Sequence, residues 1–131
     1  ITDIQCGSYI FMDGDYLEVL DGFLPALTVL ATVISRPAPD RAVLDAGRKS
    51  VSIDRGMPKV VGITGAEVAG LSEEHTKVQL SGDALGLRVG QKVHVLPMHG
   101  DTTIAMHSHY FVVRERKLET VVEIAGRGCF T

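Results

Sequence analysis

The run "ALTVLATVIS", Ala26 to Ser35, decides the fold. It is too short for a bilayer span and too rich in Val, Ile and Thr for a comfortable helix. It is apolar on both alternations, which predicts a buried strand. "RPAPD", Arg36 to Asp40, then breaks it with two prolines. Working outward, every neighbouring run has the same character. "RAVLDAG" predicts a strand ending near Asp45 and Gly47, and "KVVGIT", "AEVAGL" and "TKVQLS" predict three more. "LRVGQKVHVLP" reads as a turn at Gly90 and a strand from Lys92 to Leu96, stopped by Pro97. "SHYFVVRERKLETVVEIAG" reads as a hairpin around the charged turn "RERK". "SYIFM", Ser8 to Met12, adds a short strand closed by "DGD". Helical signal is weak, with a turn or two expected in "GDYLEVLDGFL" and one in "GRKSVS". About seven or eight short strands between turn signals predict a mainly β barrel or sandwich with at most short helical turns.

Length and composition narrow the classes. The chain has 131 residues, enough for one domain with its own core. Hydrophobic residues make up 45% and charged residues 22%, values that argue against disorder. Net charge is −3, with acids and bases interspersed, so no basic stripe offers itself to nucleic acid, and no run suits a membrane helix. Cys6 and Cys129 read as free thiols in a reducing, cytoplasmic compartment. No signal peptide is expected, and a chain that opens on Ile1 reads as a piece of a longer one.

Several polar residues invite chemistry. In "PMHGD", His99 and Asp101 stand two apart, so in an extended segment both side chains point the same way and converge on one cation. One imidazole and one carboxylate at a strand mouth leave open positions, as a catalytic metal requires. That donor pair suits Mn, Zn, Co or Mg alike. His107 and His109 in "HSH", with Glu115 beyond, resemble the metal motif of cupin barrels, although the glutamate falls in the charged turn. On this alternative the chain is a free-standing metal-binding module, while the plainer reading makes both histidines structural. Glu73, Glu74 and His75 form an acidic cluster that reads as ligands, as an acid–base pair or as a solvated turn, and His94 faces the polar side of its strand. "CGS" presents backbone N–H groups that a phosphate could use, although a Gly-Ser pair carries little weight alone.

Taken in order, "SYIFMD", "VLDAGRKSVSIDRGMP", "LSEEHTKVQL", "LRVGQKVHVLPMHGDTT" and "YFVVRERKLETVVEIAGRG" resemble the C-terminal domain of the D-threonine aldolases. These belong with the D-serine dehydratases of eukaryotic type among the fold-type III pyridoxal phosphate enzymes, related to alanine racemase. The likeness runs along essentially the whole chain. Its most specific runs are D-A-G-x-K-x-x-S-x-D, E-E-H and P-x-H-x-D. The resemblance implies an alanine racemase C-terminal-like β-barrel, with residues 1–15 the tail of a missing N-terminal (β/α) barrel. It implies a divalent metal on His99 and Asp101, and cofactor phosphate at Gly7, Ser8 and Tyr9. It places Gln5 where racemases carry an arginine facing the pyridine nitrogen. It implies a lyase, often oligomeric, that acts on D-3-hydroxy amino acids, with D-serine-type dehydration as the alternative outcome. Aspartate at position 101 favours aldolase, because the dehydratases usually carry cysteine there. None of Lys49, Lys59, Lys77, Lys92 and Lys117 matches the lysine that binds the cofactor, so the isolated chain is expected to be inactive.

Overall fold

The computed structural model describes residues 1–4 and 6–129. Among these residues, eight strands form two antiparallel sheets. In chain order, β1 is Val29–Ala38, β2 Arg41–Leu44, β3 Lys59–Val61, β4 Ala66–Leu71, β5 Thr76–Leu80, β6 Lys92–Leu96, β7 His109–Arg114 and β8 Lys117–Glu123. The larger sheet has the order β3-β6-β1-β2-β5-β4, and its two edge strands, β3 and β4, approach one another to leave a nearly closed barrel. The hairpin β7–β8 stands apart from it. The mainly β barrel expected from the sequence is the architecture observed.

Strand β1 holds the barrel together by changing partners along its length. Val29 to Thr32 pair with β6, and Val33 to Ala38 pair with β2. Irregular register between Ser35 and Ala38 accommodates Pro37, whose missing N–H would interrupt a regular ladder, so the strand runs on through the first proline instead of stopping before it. The strand is not buried on both faces. Ala31 and Val33 enter the core, whereas Leu30 is 59% exposed on the outer surface. In β5, Thr76, Val78 and Leu80 point inward and Lys77 and Gln79 outward, the period-2 pattern of a sheet wetted on one side. With Leu44, Val51, Val93 and Val95 these residues make one apolar core.

Two further local expectations fail. Ser8 to Ile10 form a 3₁₀ turn, not a strand, because Ile10 N–H bonds back to the Gly7 carbonyl and Phe11 N–H to that of Ser8. An α-helix, α1, spans Gly100–Ile104 where an extended segment was expected. It is a single turn, too short for periodicity to reveal. A second 3₁₀ turn, Tyr16–Glu18, falls inside the predicted "GDYLEVLDGFL". No helix among the described residues is long and apolar enough to cross a membrane.

Hairpin β7–β8 is apolar yet open, with Phe111 69% and Val113 60% exposed. Its turn residues Glu115 and Arg116 both take positive φ, the conformation that matches strand twist in a two-residue hairpin.

Candidate metal centre

The loop after β6 is assembled by a segment far away in sequence. Asp13 is 4% exposed and accepts a hydrogen bond from Gly100 N–H at 2.8 Å and another from Tyr16 N–H at 3.1 Å. Gly14 N–H and Asp15 N–H donate to the carbonyls of Pro97 and Met98. The start of α1 is therefore capped by a carboxylate 87 residues away, while its own N-cap residue, His99, makes no side-chain cap. Thr103, on the same helix and 1% exposed, accepts from Ser52 N–H and donates to the His99 carbonyl, both at 3.1 Å.

This frame fixes His99. Its Nδ1 lies 2.7 Å from Asp54 Oδ2, and its Nε2 lies 3.8 Å from Asp101 Oδ2. The pair expected from sequence does converge, but for a different reason. His99 is extended and Asp101 is helical, so the approach comes from the first turn of α1 and not from a strand repeat. Two donors about 2.1 Å from one cation at a tetrahedral angle stand about 3.4 Å apart, close to the observed separation. The Asp101 side chain is 71% exposed and free to close the difference. A borderline imidazole nitrogen and a hard carboxylate fit Mn²⁺, Zn²⁺, Co²⁺ or Mg²⁺. Among the described residues no third His, Cys, Asp or Glu completes a cluster.

Asp54 is anchored on its other oxygen. Ser52 Oγ donates to Oδ1 at 2.5 Å and Thr102 Oγ1 at 3.1 Å. The Ser52 hydroxyl first, then the His99 ring, hold the Asp54 carboxyl well below the usual carboxylate range.

Asp101 also borders an open groove of about 460 Å³, whose other walls are Cys6, Gly7, Ser8, Ile10 and Phe11. Two residues marked for phosphate and one marked for metal thus face the same space. Apart from its two chain neighbours, no atom among the described residues lies within 4 Å of where a Gly7 side chain would begin. The N–H groups that open the 3₁₀ turn at Ser8 have no partner within that turn. Phe11 stacks on Tyr110 at 5.4 Å beside the groove, and burial, then the Asp101 charge, push the Tyr110 hydroxyl up. Tyr9 packs edge-on against Phe23. Gln5 falls outside the described residues.

The other candidates lie elsewhere. His107 Nε2 is 2.8 Å from the Ser50 carbonyl and His109 Nδ1 3.0 Å from Ser108 Oγ. Glu115 sits in the hairpin turn, at the far end of β7 from His109, so the three do not gather as a cupin-type site would require. Glu73 and Glu74 pair with Lys49 at 3.3 and 2.8 Å on the surface. The turn they share with His75 packs its backbone on Gly47, where a Cβ would stand 2.4 Å from His75 N. His94 meets Thr28 Oγ1 on the outside of the barrel.

Sequence reasoning missed Ser52, Asp54, Thr103 and Asp13. The first two lie inside the D-A-G-x-K-x-x-S-x-D run, which was singled out without a role for its last members.

Residues 26–113 match the family described as "putative serine dehydratase domain". The D-threonine aldolase of an Arthrobacter species is 41% identical over 131 aligned positions, covering 97% of this chain and 35% of that protein. The crystal structure of D-threonine aldolase from Filomicrobium marinum superposes with a TM-score of 0.89 at 32% identity, over 95% of this chain and 36% of that one. A C353A mutant of D-threo-3-hydroxyaspartate dehydratase, solved in a metal-free form, gives a TM-score of 0.75 at 25% identity, over 89% and 37% of the two chains. The chain spans about a third of the length of these relatives.

Proposed function

Because the chain belongs to the putative serine dehydratase domain family, we propose that it forms the metal-bearing C-terminal domain of a pyridoxal phosphate-dependent aldolase. The reaction is cleavage of D-3-hydroxy amino acids, D-threonine among them, to glycine and an aldehyde. The observation that carries this reading is the His99–Asp101 pair, opening onto the groove that Gly7 and Ser8 border. The aldolase among its relatives and the aspartate at position 101 favour cleavage of the Cα–Cβ bond.

In this reading residues 1–15 lead from an N-terminal barrel that carries the cofactor lysine, and the working enzyme lies in the cytoplasm as a homo-oligomer. The exposed apolar hairpin β7–β8 suits a domain made to be covered. Pyridoxal phosphate supplies an electron sink for the pair released when the bond to Cβ breaks, and the cation supplies Lewis acidity at the β-oxygen. This chain's part is to bind and orient. His99 and Asp101 would hold the cation, which would lend its Lewis acidity to the substrate's β-hydroxyl. Gly7, Ser8 and Tyr9 offer backbone N–H groups and room to the cofactor phosphate. Phe11, stacked on Tyr110, gives the groove an aromatic side. Dehydration is the second reading, favoured by the likeness to the hydroxyaspartate dehydratase.

The test is a chimaera in which this chain replaces the matching third of the Arthrobacter aldolase. Cleavage of D-threonine that is lost with EDTA, regained with Mn²⁺ and abolished by His99→Ala is the expected result. Activity indifferent to chelator, or full activity in His99→Ala, would overturn the reading.

A further inference from the structure

We infer that Asp54 is a positioning residue that fixes the ring of His99, keeping the proton on Nδ1 and leaving Nε2 bare towards Asp101. The inference rests on His99 and Asp101 being cation ligands, and it adds a residue that neither lies in P-x-H-x-D nor reaches the groove.

The geometry is one-directional. An ionised carboxylate can only accept, so the 2.7 Å contact between Asp54 Oδ2 and His99 Nδ1 requires the proton on Nδ1. A neutral imidazole protonated there has its lone pair on Nε2, the atom that faces Asp101 at 3.8 Å. Asp54 is itself held against rotation, because Ser52 Oγ and Thr102 Oγ1 both donate to its other oxygen. Those anchors come from two different segments of the chain. Ser52 lies in the loop between β2 and β3, and its N–H is bound to Thr103; Thr102 rides on α1 beside Asp101. Ring, carboxylate and helix are thus locked as one unit before any cation arrives. Such a carboxylate behind a ligating histidine typically contributes 10–100-fold in metal affinity.

Two measurements on the protein separate the parts. ¹⁵N chemical shifts of the His99 ring report its tautomer, and calorimetric titration with Mn²⁺ alone reports affinity. The unaltered protein is expected to show a single Nδ1–H tautomer. Asp54→Asn, whose amide can donate as well as accept, is expected to mix the tautomers and weaken Mn²⁺ binding by about 10–100-fold. Ser52→Ala, which spares the carboxylate, is expected to fall between the two. An Nε2–H tautomer in the unaltered protein would overturn the inference, even if Asp54→Asn misfolds. So would an Asp54→Asn protein whose tautomer and affinity are unchanged. Asp101→Ala leaves the Asp54 contact intact and tests the metal assignment by itself. If it binds Mn²⁺ as tightly as the unaltered protein, that assignment falls, while the tautomer still decides the role of Asp54.

Discussion

Asp13→Ala tests whether the loop that carries His99 and Asp101 is held from a distance. The carboxylate is 4% exposed and accepts from Gly100 N–H and Tyr16 N–H, at 2.8 and 3.1 Å. Hydrogen bonds to a charged group contribute about 1.5–3 kcal/mol each, so the two together contribute roughly 3–6 kcal/mol. Against that stands the cost of burying a carboxylate, since no ion pair among the described residues offsets its charge. Alanine returns a few kcal/mol of that cost but leaves Gly100 N–H buried without an acceptor. The net loss expected is about 2 kcal/mol. With a urea m-value of about 1.5–2 kcal/mol/M, the unfolding midpoint falls by about 1 M. Asp13→Asn keeps one acceptor and turns a donor towards the other N–H, so it should lie between the two. Urea titration followed by far-UV circular dichroism gives the midpoint, and Mn²⁺ titration of the folded variant follows the site. Affinity should fall as well, because α1 carries Asp101. An Asp13→Ala protein with an unchanged midpoint would refute the idea that this remote cap holds the loop.

Other perturbations probe the scaffold. Gly47→Ala places a Cβ 2.4–2.6 Å from the backbone of Glu73, Glu74 and His75; the overpacking cost of about 1–3 kcal/mol exceeds the chain-entropy gain of about 0.4–1 kcal/mol, so Tm should drop by roughly 5 °C in calorimetry. Thr103→Val keeps the shape but leaves Ser52 N–H buried and unpaired, for a loss of about 1–3 kcal/mol in the same assay. Burial pushes the Asp45 carboxyl up, but the Thr32 N–H at 2.6 Å, the Thr32 hydroxyl and Lys92 outweigh it and hold it below its ordinary 3.8. A carboxyl lowered in the folded state stabilises above its ordinary value and loses that contribution as pH falls through the folded one. Asp45→Asn should therefore lower stability at neutral pH and flatten the acid limb below about pH 4, measured as urea midpoint against pH.

What the sequence reveals and hides follows the range of the forces involved. Strand β6 was readable residue for residue, Lys92 to Leu96, because alternation and a terminal proline are local signals. The hairpin was readable for the same reason. By contrast, "SYIFM" has strand composition yet forms a 3₁₀ turn, since its backbone bonds close on themselves. Helix α1 was invisible because a single turn has no period, and its stability comes from Asp13, 87 residues away. The approach of His99 to Asp101 was legible only by a coincidence of geometry. Both an extended repeat and a capped helical turn bring the side chains at 99 and 101 together, so spacing named the residues while misassigning the backbone that joins them. Asp54 stands out only as the last member of the D-A-G-x-K-x-x-S-x-D run, and nothing local reveals that its carboxylate meets a histidine 45 residues on. The residues that form the site's rim are therefore found by pattern. Those that hold the rim in place are found only where the chain has folded back on itself.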